Sequence, residues 1–244
     1  MKTLVISFFM ALCVLALIAL CTLRPGNSCK EVYMPLDSVW QYPTLPVVTA
    51  SAPASIYDSL AAELGIEVAS MLAVSSIESG ASHKAFISTG SPVVNLDVAI
   101  FKESLHECGY NVDSLIKTVP DAFKRPSKSR YANPLKAQRA MYRAASAIDD
   151  SLAKVCTYWG MYQIRGSNWK LCGASSLNDF VERMSASEDA QHILFAHYLK
   201  ETGLDEYLRA KDWERFARAY NGEGYARHAY HTRLAEAYNR YKGK

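Results

Sequence analysis

Apolar residues recur at helical spacing along most of the chain. Ile56, Leu60 and Leu64 stand four apart and predict a helix over 56–64, interrupted by Gly65. A second helix is expected from Ile66 to Ser79, with Met71 and Val74 on its apolar stripe and Gly80 as its stop. Glu78 falls on that same stripe, four positions after Val74 and seven after Met71. A carboxyl there loses water, so its pKa rises and it becomes suited to donating a proton near neutral pH. The ordinary alternative is a helix-end glutamate turned to solvent.

Val93 to Asp97 is short and partly β-branched, which predicts a small strand or lip. Val98 to Cys108 reads as a helix with Ile100, Phe101 and Leu105 on one side, whereas Gly109 to Pro134, broken by Pro120 and Pro126, reads as loop. Ala137, Met141, Ala145, Ile148 and Leu152 predict one long helix over Lys136 to Val155. Further helices are expected over Ser176 to Met184, Ser187 to Lys200, Asp212 to Ala219 and Tyr225 to Tyr241, with Gly203 and Gly222 between them. The fold class is therefore mainly α, with at most a small β-hairpin or lip.

The N-terminus breaks this pattern. From Thr3 to Leu23 the chain is uncharged and apolar, a run of about 20 residues and enough to cross a bilayer as a helix. Two readings fit: an uncleaved signal-anchor, or a signal peptide cut after Ala19-Leu20-Cys21. Either one exports the rest of the chain. The run is dominated by Leu, Ile, Val and Phe, which suits a permanent tether at least as well as a releasable one. Residues 25–50, with Pro25, Pro35, Pro43 and Pro46, read as a linker, so the organisation is 1–24 anchor or signal, 25–50 linker and 51–244 domain.

With half of its residues hydrophobic, the chain can build a good-sized core. Its formal charge is only +3, but the cations are clustered. Lys124, Arg125, Lys128, Arg130, Lys136, Arg139 and Arg143 form one group, and Arg209, Lys211, Arg215, Arg218 and Arg227 another. Such groups favour an anionic polymer or membrane surface, with ordinary solvated helix faces as the alternative. No nucleic-acid motif is present, and nucleic acid is not expected as a partner. In an exported chain Cys156 and Cys172 either bridge to clasp the segment between them or remain buried thiols. There is no HExxH, no glycine-rich phosphate loop and no G-x-S-x-G, and His228 with His231 is too little for a metal site. No metal or cofactor is expected.

Two further stretches carry chemistry. Gly160-Met161-Tyr162-Gln163-Ile164 sets an amide among large apolar residues, where it needs partners or lines a cleft. Ala219-Tyr220-Asn221-Gly222 holds a Tyr and an Asn at a helix end. Glu78-Ser79-Gly80 followed by these two stretches resembles the ordered signature of lysozyme-like glycan cleavage, shared by goose-type lysozymes and lytic transglycosylases. The closer resemblance is to the phage-endolysin N-acetylmuramidase family. It is carried by Leu64-Gly65-Ile66-Glu67-Val68-Ala69, Ile77-Glu78-Ser79-Gly80, Tyr158-Trp159-Gly160 to Asn168, Phe180-Val181 to Ser187-Glu188, and Leu208-Arg209 to Tyr225-Ala226.

The resemblance, spanning Ile56 to Tyr241, implies a lysozyme-like domain that cuts the β-1,4 MurNAc–GlcNAc bond of peptidoglycan. Glu78 is then the general acid, and Tyr162, Gln163, Asn168, Tyr220 and Asn221 are substrate-binding residues. Asp97 stands where the family usually has a Glu, without the Arg-His pair that follows it, and is the candidate assistant to Glu78. Two alternatives follow: a lytic transglycosylase giving 1,6-anhydro products, and a membrane-tethered peptidoglycan-binding protein that has lost catalysis. The implied partners are peptidoglycan glycan strands and, through the N-terminal helix, the inner membrane. A monomer with its catalytic domain in the periplasm is expected.

Overall fold

The computed structural model describes residues 55–78, 84–124 and 134–242. The apolar run at 3–23, the linker, the expected domain start near 51, and Ser79 with Gly80 lie outside these residues. Among the described residues no single helix is long and apolar enough to cross a membrane.

Helix α1 (Ile56–Leu64) begins at Ser55, whose hydroxyl accepts from Asp58 N while the Asp58 carboxylate accepts back from Ser55 N at 2.9 Å. This reciprocal cap contributes about 1 kcal/mol. The helix stops where Gly65 turns left-handed at φ 63°. Helix α2 (Val68–Glu78) follows at a 113° bend, and Ser70, Met71, Ala73 and Val74 on it are fully buried. A helix covered on nearly every side belongs at the centre of a domain.

Among the described residues there are five short strands, where at most a small β-hairpin or lip is expected. β1 (Phe86–Ser88) and β2 (Ser91–Pro92) form a hairpin, and β3 (Val94–Leu96) begins a separate sheet. Helix α3 (Val98–Glu107) starts at Asp97, whose Oδ1 accepts from Ala99 N at 3.1 Å and Ile100 N at 3.3 Å. The expected loop after Gly109 contains a helix, α4 (Val112–Thr118), because Asn111 caps it at Ser114 N, and a 3-10 turn at Pro120–Ala122. The remainder of that loop, 125–133, lies outside the described residues.

The long helix expected over 136–155 is broken in two. Helix α5 (Pro134–Ser146) ends, and α6 (Asp150–Val155) restarts with Asp149 accepting from Leu152 N at 2.9 Å. Apolar spacing continues through 147–149, but an aspartate that offers the backbone its own acceptor starts a new helix there. β4 (Thr157–Trp159) and β5 (Ile164–Arg165) then join β3 in an antiparallel sheet of order β3-β4-β5. Cys156 and Cys172 are both buried free thiols, so the alternative of a bridge is discarded.

The helices α7 (Leu177–Ala186), α8 (Glu188–Glu201), α9 (Leu204–Ala210), α10 (Trp213–Asn221) and α11 (Tyr230–Tyr241) close the domain. Ser176, Ser187 and Asp212 cap three of them. α9 had not been expected, and the last helix starts later than its tyrosines suggested: Glu223–His228 is a 3-10 turn and Ala229 is left-handed at φ 48°. Helix α11 lies along α2, where Ala69 and Ala73 meet Ala237 and Tyr238. The Tyr238 hydroxyl donates to Glu67 at 2.6 Å, and Lys211 pairs with the same carboxylate at 2.5 Å. Arg209 donates to the carbonyls of Leu64 (2.9 Å) and Gly65 (3.3 Å), binding the end of α1 to α9.

Gly166, at the exit of β5, runs against α6. A Cβ there would lie 2.0 Å from the Lys154 carbonyl oxygen and 3.2 Å from Val155 Cα, all of it backbone. The Gly166→Ala variant is therefore expected to lose about 1–3 kcal/mol of stability, read as a lower urea midpoint at unchanged slope.

Candidate active site

Glu78 is the last residue of α2. The final carbonyls of a helix lack helical partners, and their dipoles disfavour a negative charge. Burial pushes the Glu78 carboxyl from 4.5 up to about 7, against the opposing pull of the Asn221 amide and the Arg233 guanidinium. Neither facing group is saturated: Glu78 Oε1 and Asn221 Nδ2 are both buried without a hydrogen-bond partner among the described residues.

A cleft of about 570 Å³ opens over Glu78. One wall is the sheet. Asn95 of β3 pairs with Tyr158 of β4, and Tyr158 with Arg165 of β5, so the three stand in a row across the strands and line the cleft. Their neighbours Val94, Leu96, Thr157, Trp159 and Ile164 are buried, as the period-two alternation of a strand requires. The other wall is helical, from Tyr198 of α8 and Tyr220 and Asn221 of α10, while Asn168 stands in the 3-10 turn after β5.

The β4–β5 turn forms the floor. Gly160 is left-handed at φ 69°, and a Cβ on it would lie 2.6 Å from Gln191 Oε1. Gln191 is itself fully buried, donating to the Met184 carbonyl and accepting from Met161 N, both at 2.8 Å. Gln163 is also left-handed, at φ 50°, with its Nε2 donating to the Gly160 carbonyl at 2.8 Å. That conformation costs a non-glycine residue about 1–3 kcal/mol and persists only where the surroundings fix it.

Beneath the floor runs a polar chain. The Tyr162 hydroxyl meets His192 Nδ1 at 2.6 Å, and the Tyr57 hydroxyl meets His192 Nε2 at 3.1 Å. Burial lowers the His192 pKa, so the ring is neutral and uses one nitrogen as donor and the other as acceptor. The Tyr162 ring stacks on Phe195 at 3.8 Å, and its backbone carbonyl accepts from the Tyr220 hydroxyl at 2.7 Å. Tyr162 thus borders the cleft with its hydroxyl turned inward, and Tyr220 uses its proton to tie α10 to the floor.

Of the site residues read from the sequence, Glu78, Tyr162, Gln163, Asn168, Tyr220 and Asn221 meet around this cleft. Asp97 is not among the lining residues, since its carboxylate holds the start of α3. Asn95, Tyr158, Arg165 and Tyr198 were missed. The strand pairing places the first three, and the sequence has no signal for that pairing.

Comparison with known proteins adds two findings. The model of the family described as "Muramidase: N-acetylmuramidase" matches residues 67–242. The crystal structure of the Burkholderia AP3 phage endolysin is similar, at 30% identity over 78% of this chain and 71% of that one, with a TM-score of 0.66. No curated protein matches the chain.

The buried carboxyl has a consequence for stability. Between 4.5 and about 7 the folded chain keeps a proton that the unfolded chain has released, so Glu78 lowers stability as pH rises through that window. The Glu78→Gln variant is expected to exceed the parent chain in stability by up to about 3 kcal/mol at pH 8. At pH 4 the two are expected to coincide, and urea titrations at both values measure the difference.

Proposed function

The chain belongs to the N-acetylmuramidase family, and on that premise we propose that it cleaves the β-1,4 bond between MurNAc and GlcNAc in peptidoglycan with Glu78 as general acid. Peptidoglycan-degrading, lysozyme-like glycoside hydrolysis is the activity of the family. The observation that carries the finer reading is the carboxyl at the end of a buried helix, raised to about 7 and opening into a cleft of amides and tyrosines. A glycosidic oxygen leaves only when protonated, and an acid with this value is still half protonated at neutral pH. Asn95, Gln163, Asn168 and Asn221 suit the hydroxyl and N-acetyl groups of the sugars, while Tyr158 and Tyr198 offer faces to their C–H surfaces. The uncharged run from Thr3 to Leu23 supports export, with the domain working in the periplasm and held at, or released from, the inner membrane.

One observation favours a second outcome of the same chemistry. Among the described residues that line the cleft, Glu78 is the one carboxylate, and Asp97 caps α3. With no second carboxylate to activate water, the 6-hydroxyl of the MurNAc ring can attack the oxocarbenium-like centre and close a 1,6-anhydro ring. Mass spectrometry of released muropeptides separates the outcomes, since anhydro ends accompany only the intramolecular route.

Glu78→Gln is expected to reduce release of soluble fragments from peptidoglycan by about 10²–10⁴-fold or more while the chain still folds. Full activity in that variant would remove Glu78 from the chemistry. In the parent chain kcat/KM should be level below about pH 7 and fall about tenfold per unit above it, as the acid loses its proton.

A further inference from the structure

A second cavity, of about 320 Å³, opens beside the first and is lined by Asn221, Gly224, Tyr225, Arg227 and Tyr230. The two cavities share Asn221, whose amide faces the Glu78 carboxyl. The acid therefore stands next to their junction. An enzyme that cuts within a polymer strand needs contacts on both sides of the bond, and a cavity that begins at the neighbour of the acid supplies the second side.

The first cavity holds both Arg165 and Glu78, whereas among the described residues no carboxylate lines the second. Arg227 lines it, Arg218 lies over the Tyr225 ring at 5.6 Å and Arg233 over the Tyr230 ring at 5.4 Å. The nearby carboxylate of Glu214 is turned to the Tyr225 hydroxyl, which donates to it at 2.7 Å. Other cations of the same stretch serve the fold: Arg209 binds Asp205 and the end of α1, Lys211 binds Glu67, and Arg215 pairs with Asp212. Of that cationic group, Arg227 lines this cavity and Arg218 stands over Tyr225, which also lines it. A guanidinium engages a carboxylate through two parallel N–H···O bonds, and tyrosine faces pack well against a short peptide. At the junction, Asn221 Nδ2 is buried and without a hydrogen-bond partner among the described residues, and its amide faces the Glu78 carboxyl.

We propose that this second cavity is a subsite for the acidic peptide stem attached to MurNAc, with Arg227 engaging a stem carboxylate. The assignment rests on the reading of the first cavity as a muramidase cleft. It makes the chain selective for glycan that still carries its peptides, and it explains why an otherwise mildly basic protein concentrates arginines here.

The test uses the full-length Glu78→Gln chain, which holds a strand without cutting it. It is titrated with a defined glycan fragment bearing carboxylate-containing stems and with the same fragment after an amidase has removed them and the lactyl carboxyl this exposes has been converted to an amide. Adding Arg227→Ala is expected to weaken binding of the stem-bearing fragment about tenfold, or about 1.4 kcal/mol. Binding of the stem-free fragment should weaken by about twofold or less, and Arg227→Lys should recover part of the loss because it keeps the charge without the fork. Circular dichroism checks that each variant is folded, and Arg227→Gln serves if the alanine variant is not. Equal losses on both fragments would assign Arg227 to the sugars. No loss on either, or no preference between the fragments in the parent Glu78→Gln chain, would remove the stem from the site, and any of these results overturns the proposal. Fragment release by the unsubstituted chain judges the muramidase reading separately.

Discussion

The domain is built around a carboxyl that has been denied water. Helix α2 is buried on nearly every side, so the residue at its end has little choice of surroundings, and the direction of the helix aims that residue at the cleft. Desolvation raises the Glu78 pKa first, and the negative end of the helix dipole acts in the same sense. A glutamate in the first turn of the same helix would feel the dipole in reverse and remain a poor acid at neutral pH. The position on the helix therefore adds to the effect of burial, which is the larger of the two.

Around that fixed point the cleft is assembled from elements far apart in the sequence and braced from behind. Tyr57 of α1, His192 of α8 and Tyr162 of the floor are joined through one imidazole, and Tyr220 of α10 is joined to the floor through the Tyr162 carbonyl. Each of these bonds is worth only about 1 kcal/mol net, but breaking one strands a buried polar group at about 1–3 kcal/mol. The network thus opposes small displacements of the walls more than it adds to stability. In the proposed chemistry a glycosidic bond must sit within hydrogen-bond reach of Glu78, and a shift of about 1 Å is enough to lose much of the rate.

How far the sequence revealed this arrangement depends on which interactions are local. Ser55, Asp97, Ser176, Ser187 and Asp212 each precede an apolar run, and the helix begins where such a cap predicts. The same rule applied at Asp97 identifies it as a cap for α3, because the residue stands directly before Val98-Ala99-Ile100. The break at Asp149 was hidden by apolar spacing that continues across it. Asn95, Tyr158 and Arg165 were beyond reach for another reason: they share a face only because β3, β4 and β5 pair in one register, and strands of two or three residues leave almost no period to read. Glu78 was legible as a carboxyl on an apolar stripe, whereas Gln163, Tyr220 and Asn221 stood out only through the ordered motifs that resemble a known family.

Two polar atoms at the heart of the cleft, Glu78 Oε1 and Asn221 Nδ2, remain unpaired among the described residues although each faces the other's group. A fold selected for stability alone would close that bond, since a buried donor and acceptor left apart cost about 1–3 kcal/mol each. Closing it would also stabilise the carboxylate, pull the pKa down from about 7, and leave an acid already ionised at neutral pH. Burial outweighs the pull of the Asn221 amide, so the carboxyl keeps its proton up to about pH 7. In the proposed chemistry that proton passes to an oxygen of the substrate, and a strand entering between the two cavities would supply the partners that the fold withholds. The interaction gained there would then be available to the transition state and not to the empty protein.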